Sequence, residues 1–212
     1  MVHYRFIPYL VALISFLFIL CAPQTQTCQI HDENSKKVSL EWKPNLRIDD
    51  FDLEPLKAYK SFVFEIPVIT DNREKPAIIG KILEDKLIAD KYIPLYTPEN
   101  MSKWLTQSII NALNFLGIQG VSKKGNLIIE KEISRFYLVD DLKQRGEMSF
   151  RVNVRSSNNM LVWEGAISGS SELYSHPKGS DGISECLSNT ILKTVYNMLT
   201  DNSFRDAVIS VK

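Results

Sequence analysis

Few side chains in this sequence have the type and spacing for covalent chemistry. Histidine, the usual base, occurs three times, at His3, His31 and His176. His176 lies in "ELYSHPKGSDG", close to Ser171, Ser175 and Asp181, so a Ser-His-Asp hydrolase can be drawn on paper. The strained G-x-S-x-G elbow that would expose such a serine is missing, and "GAISG" holds Ser168 at the wrong spacing. His176 therefore reads as a loop histidine, with an exported hydrolase kept as the rival reading. His31 begins "HDE", which lacks the spaced His or Cys partners of a tetrahedral metal site. Gly80-Lys81 lacks the glycine-rich stretch of a phosphate loop, and no dinucleotide fingerprint occurs, so no cofactor is expected.

The cysteines carry more chemistry. "FLFILCAPQTQTCQ" closes an apolar run with Cys21 and places Cys28 shortly after it. Arg5 supplies a basic start and Ile7 to Leu20 an apolar stretch containing Pro8, the build of a secretory signal over residues 1–20. Spanning a bilayer takes roughly 20 apolar residues, which this run falls short of. A bacterial lipoprotein signal ends in a cysteine that is acylated and becomes the first mature residue. Cys21 has Leu17 and Phe18 four and three positions before it, as that processing prefers, whereas Cys28 has Gln24 and Thr25. Leu20 departs from the small residue usual just before the cut, so ordinary signal cleavage and an uncleaved anchor stay open beside lipidation of Cys21. Cys28 and Cys186 would form a disulfide in an oxidising envelope or remain two thiols, with Cys186 buried on a helix.

The chain has 25 basic and 25 acidic residues, a balance that gives no field for nucleic acid. About 190 residues follow the signal, enough for one domain. Residues 21–37 are polar and without apolar periodicity, a flexible tether, and 38–212 read as the domain.

Any site would have to be positioned by the elements of that domain. Val38, Leu40 and Trp42 in "VSLEWKP" alternate like a half-buried strand, as do Phe62, Phe64, Ile66 and Val68, where Pro67 predicts an edge or a bulge. Asp71, Asn72 and Arg73 form a turn, and Asp71 with Arg73 is the most suggestive polar pair, either a structural ion pair or part of a ligand site. Thr97 as cap and Pro98 at the first position open a helix whose apolar stripe includes Trp104, Leu105, Ile109 and Leu113 and which Gly117 stops. A long strand follows with Leu127, Ile129, Ile133, Tyr137 and Val139 on one side and Glu130, Glu132 and Ser134 on the other. "MSFRVNVRSS" and "MLVWEGAISGSSEL" complete an antiparallel meander, and a second amphipathic helix begins near Ser180. The expected fold is α+β, an antiparallel sheet of about four to five strands with two helices on one face.

"VITDNREKPAIIGKI" resembles the strand, Asp-x-Arg and Ile-Gly near the start of YajG-type bacterial envelope lipoproteins. "VSLEWKP" is similar to the strand after their lipidated cysteine. "PENMSKWLTQSIINALNFLGI", "IIEKEISRFYL" and the terminal helix with its "SFRDAVI" tail follow the family order over roughly residues 38–209. The resemblance implies a lipid-anchored, periplasm-facing protein with no catalytic residues to transfer, on either the inner or the outer membrane. With the elements above, it leads to an expected binding or scaffolding protein. Its partner, an envelope protein or a second copy, would use the sheet, with Glu130 and Glu132 on the partner surface.

Overall fold

The computed structural model describes residues 34–84, 91–174 and 179–211, so His31, Cys21, Cys28, Ser175 and His176 lie outside the described residues. The unit Glu33–Lys212 is organised on one long strand, β7 (Leu127–Asp140), numbered with the other strands in chain order. On one flank β7 pairs antiparallel along its length with β8 (Gln144–Ser156), which pairs with β9 (Leu161–Leu173). This is the expected meander. Met148, Phe150, Val152 and Val154 point inward from β8 and are buried.

The other flank departs from expectation. Three short strands, β2 (Val63–Glu65), β3 (Thr70–Asp71) and β4 (Ile78–Leu83), lie one after another along the same edge of β7, all parallel to it. Beyond β2 lies β6 (Gln119–Val121), and beyond β4 lie β5 (Tyr92–Tyr96) and then β1 (Lys36–Lys37). The sheet thus has nine strands of mixed direction rather than four or five antiparallel ones. The physical reason is length. A period of two needs about four residues to be visible, and β1, β3 and β6 have two, two and three.

The alternation in β7 also breaks. A register shift between Ile133 and Arg135 inserts a bulge, after which Phe136 and Leu138 are buried in place of the expected Tyr137 and Val139. One extra residue in a strand exchanges its faces.

The first helix, α1, spans Met101–Phe115. Its cap is Asn100, whose side chain accepts from the Lys103 N–H at 3.0 Å, and not Thr97, which bonds Glu99 in the approaching turn. Gly117 ends it with φ of 77°, a conformation glycine adopts without steric cost. Helix α2 (Ser180–Thr200) follows β9, and α3 (Asn202–Ile209) is a separate short helix capped by Asp201, which accepts from Phe204 N–H at 2.8 Å. Leu105, Ile109 and Leu113 of α1 and Ile183, Leu187, Ile191 and Leu199 of α2 enter the same core as the inner side chains of the sheet. Trp104 stacks at an angle on Phe136, with centroids 6.1 Å apart. Trp163 packs edge-on against Phe204 and donates to Ser203 Oγ at 3.0 Å.

Residues 38–46 are extended and alternate as expected, with Val38 and Leu40 buried and Trp42 and Leu46 packed on the core. Val38 still donates its N–H to the Tyr96 carbonyl of β5 at 2.8 Å, but beyond it the partner is a helix. The N–H groups of Glu41, Lys43 and Asn45 donate to Ser184 Oγ, Ser188 Oγ and Asn189 Oδ1 at 3.2, 2.9 and 3.1 Å, so α2 holds the segment with side chains. Buried backbone donors must find acceptors somewhere, and two helix hydroxyls and one side-chain amide oxygen serve.

Candidate functional site

Because β2, β3 and β4 share one edge, two gaps open along β7. The second gap, between β3 and β4, is closed by Arg73. Its Nε and one terminal nitrogen grip Asp71 at 2.8 and 2.7 Å, and the remaining N–H groups donate to the carbonyls of Pro76, Ile78 and Phe136 at 2.7, 3.2 and 2.9 Å. All five guanidinium donors are thereby used inside the protein. The Phe136 carbonyl, level with the bulge, receives a guanidinium N–H where a neighbouring strand would have supplied an amide. The pair is more enclosed than a surface turn, with Asp71 and Arg73 side chains 4% and 12% exposed. The following Ile-Gly also has a steric basis. A Cβ on Gly80 would lie 2.1 Å from the Leu138 carbonyl oxygen, so only glycine lets β4 close on β7.

The first gap, between β2 and β3, stays open. Pairing stops at Glu65 opposite Ile128 and resumes at Thr70 opposite Glu132. In between, the Ile66 N–H turns to Val121 O at 2.8 Å and the Ile69 N–H to Thr106 Oγ1 at 3.0 Å, while Pro67 has no N–H to give. The alternation Phe62, Phe64, Ile66 holds inward, then Val68 swings out to 65% exposure and Ile69 takes its place. Pairing with β7 is thus interrupted around Pro67, where the sequence predicted an edge or a bulge.

A cleft of about 300 Å³ lies at this gap, lined by Val68, Thr70, Glu130, Glu132, Arg151 and Asn153. Lys131 also borders it, yet by alternation its side chain belongs to the inner side and is 6% exposed. Its Nζ has no hydrogen-bond partner, and burial lowers the ammonium to about 7. A lysine in a run of core positions was invisible to a reading that placed only apolar residues inward. Its signal was the register itself, because Lys131 falls midway between Ile129 and Ile133.

The two glutamates expected on a partner surface do share one face. Glu130 pairs with Arg155 Nε at 3.1 Å, and Glu132 accepts from Asn72 Nδ2 at 2.9 Å and stands opposite Arg151 in register. Arg135 and Glu147 add an exposed pair at 2.7 Å. Among the described residues no helix covers this outer face of β7, β8 and β9, and Glu130, Glu147, Arg151, Glu164, Ala166, Ser168 and Ser170 are exposed on it. Among the described residues the far edge of β9 has no strand partner. Asn197 Nδ2 donates to the Ser168 carbonyl at 2.9 Å, so Ser168 and its even-numbered neighbours turn their backbone groups to that edge.

The remaining sequence candidates do not converge here. Cys186 is a free, fully buried thiol, while Cys28, its expected disulfide partner, lies outside the described residues; the Cys186 Sγ is 3.6 Å from Ser171 Oγ, and burial pushes its pKa up. Ser171, five residues before His176, is buried and donates to the Cys186 carbonyl at 3.0 Å. Asp181 is exposed and pairs with Lys43 at 3.3 Å. Among the described residues no three His, Cys, Asp or Glu side chains gather as metal ligands would. The cleft at the first gap is bordered by a polar, hydrogen-bonding surface.

No family model matches the sequence, and no curated protein matches it significantly. The fold is similar to that of protein XCC0632 from Xanthomonas campestris, of the DUF330 family model, with a TM-score of 0.50 at 7% identity over 84% of this chain and 99% of that one. Weaker likenesses include a PelC dodecamer from Paraburkholderia phytofirmans, with a TM-score of 0.38 at 12% identity over 65% of this chain and 89% of that chain. Another is a candidate lipoprotein from Caulobacter crescentus, with a TM-score of 0.35 at 13% identity over 52% of this chain and 84% of that chain.

Proposed function

We propose that this chain is a lipid-attached, periplasm-facing component of the bacterial envelope. It binds a protein partner or a second copy of itself through the open face and free edge of its sheet, without catalysis. The observation that carries the reading is β9, a strand of 13 residues with one edge unpaired and its outer face uncovered among the described residues. Such an edge is a template for another strand, and the charged side chains of the adjoining face, Glu164 of β9 with Glu147 and Arg151 of β8, set which strand fits. The resemblance of the Asp-x-Arg and Ile-Gly stretch to YajG-type lipoproteins supports the address. The buried hydroxyl of Ser171 speaks against a hydrolase built around His176.

Two measurements test the two halves of this reading. Labelled palmitate should follow Cys21, so Cys21→Ser should abolish labelling and Cys28→Ser should leave it unchanged. Crosslinking of the full chain in the bacterial envelope should trap a complex that Ala166→Lys, or Glu130→Lys combined with Glu132→Lys, removes while circular dichroism is unaltered. A complex that survives both sets of changes would overturn the sheet as the binding surface.

A further inference from the structure

One end of the sheet carries a second surface. The register puts the ends of five strands at the same level, because Ile82 aligns with Asp140, Asp140 with Gln144, Gln144 with Leu173, and Ile82 also with Ile93. At this end Leu142, in the β7–β8 turn, is 81% exposed, and Tyr174, just after β9, is 75% exposed. With Leu83, Tyr92 and Lys143 they border a recess of about 490 Å³. The aromatic rings carry ammonium groups. Lys143 Nζ lies 5.1 Å from the Tyr174 ring centre and Lys81 Nζ 4.0 Å from that of Tyr92. Exposed leucine and tyrosine with lysine alongside is the composition of a membrane–water interface, where rings sit at headgroup depth and ammonium groups reach outward.

Exposed apolar residues also occur at the opposite end, at Met160 and Leu161, so exposure alone does not choose between the ends. The path of the chain does. β1 runs parallel to β5 with Lys36 beside Leu95, and β5 starts at the Leu142 end, so the chain enters β1 from that end. Whatever precedes residue 34 therefore joins the domain there. Residues 21–33 reach at most about 45 Å even fully extended. The length of β7 separates the two ends by about 40 Å, so presenting Met160 to the membrane would consume nearly all of that reach.

We propose that the end bearing Leu142 and Tyr174 lies against the bilayer that holds the N-terminal segment, both side chains entering the headgroup layer. The proposal rests on the membrane-attachment reading above and adds an orientation to it: the β8–β9 turn points away from the bilayer and the free edge of β9 stands across the space between. The chemistry that recognises this surface is a phospholipid interface, with a few apolar side chains contributing at short depth beside a separate covalent anchor.

The test uses the full chain in vesicles of phosphatidylethanolamine and phosphatidylglycerol, with photoreactive p-benzoylphenylalanine replacing Leu142, Tyr174 or, as the far-end control, Met160. All three positions are exposed, so folding is preserved. After irradiation, mass spectrometry should find about tenfold more lipid adduct at 142 and 174 than at 160, as contact at interfacial depth demands. Equal yields, or more at 160, in a chain that floats with the vesicles would overturn the orientation while leaving attachment intact. A chain that does not float would remove attachment and this surface together.

Discussion

The two flanks of β7 solve the same problem by different means. Toward β8 its backbone groups are met by an antiparallel ladder running from Leu127 opposite Ser156 to Asp140 opposite Gln144, shifted only at the bulge after Ile133. Toward β2, β3 and β4 the same strand is met piecemeal, and where pairing lapses a side chain or a cleft takes over. The ladder needs only alternation, and many substitutions preserve alternation. The patched flank depends on single groups with fixed reach, so its stability is concentrated in few residues and its geometry leaves the one open gap that borders the candidate site.

That contrast is most sharply broken at Arg73. Arg73→Ala would leave Asp71 buried without its partner and three carbonyls without a donor, for an expected loss of about 3–5 kcal/mol in urea unfolding; a loss no larger than that of an exposed pair would mean that the gap closes by itself. Lys131 probes the open gap with the opposite sign. Its folded pKa of about 7 lies below the unfolded value near 10.4, so between these values the unfolded chain binds more protons and stability rises with pH. The penalty is full below pH 7 and relieved as pH approaches 10. Lys131→Met should raise stability at neutral pH by about 1–4 kcal/mol and flatten that rise, as melting between pH 7 and 9 would reveal.

Smaller effects sharpen the comparison. Ser188→Ala withdraws the acceptor of the Lys43 N–H and should cost about 1 kcal/mol, visible as faster amide exchange at Lys43. On the laddered side, Glu147→Ala removes only the exposed pair with Arg135 and should change the unfolding midpoint by no more than about 0.5 kcal/mol. A larger loss there than at Arg73 would reverse the ranking of the two flanks.

The same contrast explains what the sequence disclosed. Strands of 13 or 14 residues and helices of 15 and 21 carry enough turns and alternations to be recognised, so β7 to β9, α1 and α2 were legible. The interruption at Pro67 and the stop at Gly117 were legible because those residues restrict or release φ. The bulge after Ile133 was not, since no glycine or proline marks it and "SRFYL" fits either register. Asn100 was hidden behind Thr97 and Pro98, a stronger signal at the wrong position. Within the candidate site, Glu130 and Glu132 were placed on one face correctly, whereas Lys131 between them and the donors of Arg73 became meaningful only once β2, β3 and β4 were seen to share an edge.

The segment 38–46 has a consequence for when the domain can form. Its hydrogen-bond acceptors, Ser184, Ser188 and Asn189, lie more than 140 positions later in the chain. Tyr59 likewise donates to the Leu199 carbonyl at 2.7 Å. Contacts so distant along the chain are slow to form because the intervening chain must first be closed into a loop. Nor can they exist before the last helices have been synthesised. The earliest part of the domain thus stays without its final partners while the chain is being made, and if the polypeptide is exported, it crosses as an open chain and locks only on the far side. Completion of the fold is tied to the arrival of its C-terminus.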